Sequence, residues 1–358
     1  MNKIRLNAMQ LEIEIPLKEF KLREDKHMVH ALIIADIEGI TDIYDLKNID
    51  DCVELYTSEI QVYIKTLFEN DVTKITVCDA HDEGNLISRK IITHGDFGRG
   101  DVRIVSKVEN LSFDEKYDFA ILAGFHGMNG SPGILPHTLR FDFKLISSFC
   151  TKLQARIPIG EVELYTRWLG AQGIPVILVT GDREAVYEAN CFNPYRQTCC
   201  VKSYFQMNQI DRIHFYEKIA YCIKCSLSLN WDICLSEDSN EIAIEFNNPD
   251  VVEALGDASY NRKENSIIFD SCSELVNNLY PLIDRLNEIN NANVALNSAF
   301  IKEVRKLAVS LKKEDLAKSE IGPLLYNNLL FLDSKSRDKI MKGILAMTNN
   351  LTLPHDIE

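Results

Sequence analysis

Five residues of metal-ligating type each lie beside a short apolar run. Ala31-Leu32-Ile33-Ile34-Ala35 leads into Asp36 and Glu38, and Ile75-Thr76-Val77-Cys78 leads into Asp79-Ala80-His81. Phe119-Ala120-Ile121-Leu122-Ala123 leads into Gly124-Phe125-His126, and Gly160-Glu161 opens a helical stretch before the run Pro175-Val176-Ile177-Leu178-Val179. Carboxylate with imidazole is the ligand set of Zn²⁺ or a similar divalent ion. Five ligands exceed one tetrahedral site and suit two metals that share a bridging carboxylate, an arrangement that activates water and polarises a carbonyl. Asp36 and Glu38 are one residue apart, so in a strand both would face one side, and Gly39 lets the backbone turn just beyond them. Taken singly, each is an ordinary polar residue after a strand. The repeated placement is what points to a metal site.

A second stretch, Gly130-Ser131-Pro132-Gly133-Ile134-Leu135-Pro136-His137, makes a rigid non-helical loop that delivers His137 close behind His126. His137 is read either as a general acid/base or oxyanion stabiliser, or as a surface histidine.

Positioning such residues calls for an α/β fold, since in open α/β sheets sites gather at the carboxyl ends of strands. The apolar runs read as strands buried on both faces. Helical spacing covers Cys52 to Phe68 and the stretch from Glu161 to Leu169. The expectation is a mixed, mostly parallel sheet with helices on both faces, a second smaller α/β region and a helical C-terminal extension. In the second region Glu241 to Phe246 and Ser266 to Asp270 read as an antiparallel pair around a polar loop, Gly256 to Asn265. The expected divisions are an N-terminal arm (1–29, with a strand at Leu11 to Ile15), a metal-binding domain (30–200), the smaller region (201–285) and the extension (286–358).

The chain has 358 residues and a net charge of −14, which disfavours nucleic acid as a partner. No apolar run reaches the roughly 18 residues of a membrane span, and the first residues lack a leader's apolar core. Ten scattered cysteines suit a reducing compartment, so a cytoplasmic protein is expected. Cys222-Ile223-Lys224-Cys225 stands alone as a C-x-x-C within a helical stretch and reads as helix cysteines. Cys199-Cys200 is given no role, and the glycines 95, 98 and 100 read as a turn.

These motifs resemble those of the zinc D-aminopeptidase family, self-compartmentalising metallopeptidases that remove D-amino acids from short peptides. Its Ser-x-Asp-x-Glu-Gly is matched by Ile34 to Gly39 except at the first position, and its Asp-Ser-His by Asp79-Ala80-His81. Its Gly-Tyr-His, Thr-Pro-Gly and Ser-His are matched by Gly124-Phe125-His126, Ser131-Pro132-Gly133 and Pro136-His137, and its Gly-Glu by Gly160-Glu161. The resemblance covers roughly residues 30–285. It implies that Asp36 bridges two zincs, that Glu38 and His81 hold one and His126 and Glu161 the other, and that His137 is a catalytic non-ligand. It also implies a homo-oligomer of stacked rings, a decamer, acting on a small peptide or aminoacyl amide. The departures are Ile34 and Ala80 in place of serines, a shorter acidic loop after His81, an insertion over Phe141 to Ile159, and Tyr165 where the family has Asn. Amide formation or acyl transfer on the same centre is the alternative reading, and a non-enzymatic metal-stabilised assembly protein is the third.

Overall fold

The computed structural model describes residues 28–81, 86, 101–140, 143–150, 155–202, 212–238, 241–247, 249–255 and 261–289. Its strands are β1 (His30–Ala35), β2 (Lys74–Asp79), β3 (Asp101–Ser106), β4 (Phe119–Phe125), β5 (Phe143–Cys150), β6 (Ala155–Ile159), β7 (Val176–Asp182), β8 (Gln197–Lys202), β9 (Ile242–Phe246), β10 (Asn261–Lys263) and β11 (Ser266–Phe269). The helices are α1 (Ile49–Glu69), α2 (Glu161–Ala171), α3 (Arg183–Phe192), α4 (Arg212–Leu227), α5 (Pro249–Ala254) and α6 (Cys272–Asn277).

Six strands form one sheet in the order β3-β2-β1-β4-β7-β8, every neighbouring pair parallel. From β1 the chain first builds outward through β2 and β3. It then returns to β4 on β1's other side and builds outward through β7 and β8. The β1–β4 seam is therefore the point where strand order reverses, and it opens a crevice at the carboxyl ends.

Alternation along β1 explains why its run is continuously apolar. Ala31, Ile33 and Ala35 pack into one core with Tyr56, Ile60 and Ile64 of α1 and Ile219 and Ile223 of α4. Leu32 and Ile34 pack into the other with Val162 and Trp168 of α2, Ala185 of α3 and Ile244 of β9. Both faces are thus covered, as a parallel sheet requires.

The antiparallel strands all lie in a second, five-stranded sheet, β10-β11-β9-β5-β6. The stretch 141–159, read from the sequence as an insertion, supplies its β5 and β6. The stretch read as a polar loop, 256–265, contains β10, paired antiparallel with β11. Beyond α6, residues 279–289 are helical. The arm with its expected strand at Leu11 to Ile15, the Gly95–Gly100 patch and the chain after residue 289 lie outside the described residues. No helix among the described residues is long and apolar enough to cross a membrane, and the described cysteines are free thiols.

Candidate metal centre

All six singled-out side chains meet at the mouth of the β1–β4 seam. The chain leaves β1 at Ala35, so Asp36 and Glu38 do not share a strand face as expected. They sit in a turn closed by Ile40 N donating to Ile37 O (3.2 Å). The turn is laced to β4, with Asp36 N donating to Ala123 O (2.8 Å) and Gly39 N to Gly124 O (2.7 Å). Gly39 is needed here for close approach, because a Cβ would fall 1.8 Å from Phe125 O. His81 follows β2, His126 follows β4, and Glu161 is the first residue of α2, beyond its N-cap Gly160.

Asp36, Glu38, His126 and Glu161 are buried, while His81 and His137 keep a little exposure. The two oxygens of Asp36 face opposite partners. Oδ1 is 3.5 Å from His81 Nδ1, and Oδ2 is 3.2 Å from His126 Nε2. His81 Nδ1 is also 2.9 Å from Glu38 Oε2, and His126 Nε2 is 3.5 Å from Glu161 Oε1. Two ligand triads result, Asp36/Glu38/His81 and His126/His137/Glu161, the ligand atoms within each lying within 4.8 Å of one another.

His137 enters the second triad by stacking on His126, with ring centroids 4.0 Å apart and planes 4° from parallel. Each ring is oriented from behind. His126 Nδ1 lies 3.0 Å from Gly127 O and His137 Nδ1 lies 3.0 Å from Leu135 O. A proton on each Nδ1 turns the Nε2 lone pairs toward the centre. The Nε2 of His137 is 3.8 Å from Glu38 Oε1.

Three buried polar atoms, Asp36 Oδ2, Glu38 Oε2 and His126 Nε2, have no aligned hydrogen-bond partner. Buried polar atoms left unpaired are costly, and here they converge on one another. That is the donor set a divalent metal satisfies, so the residues present fit metal ions. Without metal the cluster holds protons instead. Burial disfavours charge on His81, but Asp36 and Glu38 overcome it and push the imidazole up to about 11. Burial likewise opposes protonation of His126, which Asp36 and Glu161 hold well above its usual range. Burial and the charge of Asp36 raise the Glu38 carboxyl. Asp36 is held well below the usual carboxylate range because the two imidazoles outweigh its burial. Metal binding here must displace protons from imidazole.

Several residues that carry no role in the sequence reading brace the centre, among them Asp79, named there only as part of the motif Asp79-Ala80-His81. Asp79 accepts from Tyr56 Oη (3.1 Å) and from Leu86 N (2.8 Å), which fixes the strand end leading to His81. Glu59 accepts from Thr41 N (3.0 Å). Asp182 caps α3 with one oxygen and takes Gly127 N on the other (3.1 Å). Glu188 accepts from Gly160 N and Glu163 N (2.8 and 3.0 Å), so it caps from α3 the helix that carries Glu161. Leu139, with φ 58°, turns its N–H onto Glu161 Oε1 at 2.7 Å. Lys202 is fully buried at the end of β8, its Nζ donating to Glu38 O and Ile43 O. Glu59 and Glu188 carry a sequence signal, a lone acid on the buried stripe of a helix, whereas Lys202 carries none. Tyr165, the departure from the family's Asn, is buried against Phe125 and Trp168.

A family model described as D-aminopeptidase, peptidase family M55, matches residues 29–250, well over half of the chain. The chain belongs to the D-aminopeptidase family. A D-aminopeptidase of Bacillus subtilis strain 168 is 30% identical over 176 residues, a match spanning 47% of this chain and 61% of that relative. The fold is that of a solved zinc-dependent D-aminopeptidase, DppA from Bacillus subtilis, described as a self-compartmentalizing protease. The TM-score is 0.62 at 19% identity, over 72% of this chain and 98% of that one. The family match takes in every candidate ligand and His137, and stops before β10, β11 and the C-terminal helices.

Proposed function

We propose that this chain is a zinc-dependent aminopeptidase that holds two metal ions and cleaves the amide bond next to the free amino end of a small peptide, releasing a D-residue. The observation that carries this reading is the placement of Asp36, one oxygen toward His81 and the other toward His126, each backed by a further carboxylate. Glu38 and His81 would hold one metal, His126 and Glu161 the other, and Asp36 both. The metals, when bound, supply Lewis-acid polarisation of the scissile carbonyl and lower the pKa of water.

The chain's own residues do the rest. His137 presents Nε2 to the centre while Leu135 O fixes Nδ1, so it accepts a proton from the attacking water and returns it to the leaving amine. Stacking on His126 holds its ring in the plane this needs. The reading includes a homo-oligomeric assembly, in line with the self-compartmentalizing neighbour.

The test is metal content of the purified protein together with turnover on D- and L-aminoacyl amides and dipeptides with free amines. Two zincs per chain and release of D-residues are expected. Two metals with no hydrolysis, but with transfer from acyl donors to amines, would replace peptidase with amide formation. A folded protein that binds no divalent metal would overturn the centre itself.

A further inference from the structure

Lysine is almost never fully buried unless its charge is paired, yet Lys202 is inaccessible at the end of edge strand β8. Its hydrogen bonds go to two backbone carbonyls, Glu38 O and Ile43 O, at the two ends of the turn that follows the first pair of candidate ligands. The Glu38–Gly39 peptide is therefore gripped on both sides. Its carbonyl is held by Lys202 and its N–H by Gly124 O (2.7 Å). Farther along the same turn, Thr41 N is held by Glu59 Oε2 (3.0 Å). Charged groups facing the ammonium are Asp182, Glu38, Glu59 and Asp36, and the Tyr44 ring lies 5.7 Å away.

We infer that Lys202 is a positioning residue for metal binding: through the Glu38–Gly39 peptide it aims the Glu38 carboxylate at the ion shared with His81. This rests on the metal-centre reading above. Charge alone argues the other way, since a cation beside a dication weakens its binding. The two effects predict opposite signs, so the inference is exposed to a direct test. Groups that orient ligands are typically worth 10–100-fold in metal affinity.

The experiment compares wild type, Lys202→Met and Lys202→Gln. Zinc affinity is measured by competition with a chelating dye, the Co²⁺-substituted absorption spectrum is recorded, and thermal midpoints are taken in EDTA. In Lys202→Met one of the two zincs should bind at least tenfold more weakly, with an altered Co²⁺ spectrum, while the other is little changed. Lys202→Gln, which keeps amide donors for the carbonyls, should recover part of the loss. A lysine that served only the fold would lower the midpoint and leave the folded protein's zinc affinity alone. Unchanged or tighter binding in both variants would overturn the inference. If neither variant folds, hydrogen exchange on the wild type decides. Residues 36–43 should be protected in the metal-free protein nearly as well as in the loaded one. Rapid exchange that slows only on zinc addition would show that the metal, not Lys202, orders the turn. A wild type that takes up no zinc fails the metal-centre reading, a result separate from any of these.

Discussion

Gly39→Ala tests whether the β1–β4 seam sets the geometry of the centre. A methyl on Gly39 would lie 1.8 Å from Phe125 O, 2.4 Å from Gly124 O and 2.4 Å from Phe125 C, all backbone atoms. Real Cβ contacts stop near 3.0 Å, so something must move by about 1.2 Å. Strand β4 cannot yield by retreating, because the Phe125 carbonyl is hemmed in on its far side. A Cβ on Gly181 of β7 would fall 1.9 Å from the same oxygen. The turn carrying Asp36 and Glu38 must therefore lift, breaking the bond from Gly39 N to Gly124 O and moving two ligands away from His126. Overpacking of this kind costs about 3 kcal/mol, and a 1 Å misplacement of reacting groups costs about 10²-fold in rate. The assay is kcat/KM on a D-aminoacyl amide, zinc content, and the thermal midpoint with and without EDTA. Gly173→Ala serves as the comparison. Its backbone is left-handed (φ 73°), which that of Gly39 is not, but nothing lies within 4 Å of its added methyl, so it should lose about 1 kcal/mol of stability to backbone strain and no activity. A Gly39→Ala protein with the wild-type midpoint and kcat/KM within twofold of wild type would refute the seam argument.

Asp36→Ala removes the carboxylate that faces both triads, and plasma emission should find both zincs lost along with all turnover. His137→Ala should retain two zincs per chain and lose most of kcat, about 10²–10⁴-fold for a general acid/base; retained turnover would remove the assignment. Glu188→Gln should show a pH-dependent effect on stability. Burial, opposed by the N–H groups of Glu163 and Gly160, raises its carboxyl from 4.5 to about 7. The stability gained from the retained proton is whole below pH 4.5 and lost as pH rises through 7. The glutamine mimics the protonated form, so its stability relative to wild type should rise by about 3 kcal/mol between pH 4 and pH 8, read by urea unfolding of metal-free protein.

The candidate ligands Asp36, Glu38, His81 and His126 were legible because a parallel sheet writes its strands as unbroken apolar runs, and the residues just after each run lie by topology on the rim. The reason given for Asp36 and Glu38, a shared strand face, was not the one the structure uses. The chain turns after Ala35, and tertiary bonds to β4 do the aligning. The brace residues were hidden for a different reason. Lys202 serves carbonyls 164 and 159 residues away, and Glu188 serves N–H groups 28 and 25 residues away. Backbone partners leave no trace in side-chain patterns, so an acid on a helix's buried stripe marks Glu188 as held without showing what it holds. The second sheet was only half visible because β5 pairs with β9, Leu145 opposite Ile244, a separation at which the stretch reads as an insert. Cys222 and Cys225 do share a helix, with Cys222 buried and Cys225 half-buried.

The order in which strands are woven also decides when the centre can come into being. His30 pairs with Lys74 and Ala31 with Phe119, so the neighbours that flank β1 come from far down the chain. Pairings this remote form slowly. Before β2 and β4 dock on β1, the chain holds together only Asp36 and Glu38 of the candidate ligands, too little to retain an ion. Occupancy of such a centre would thus certify that the weave is finished.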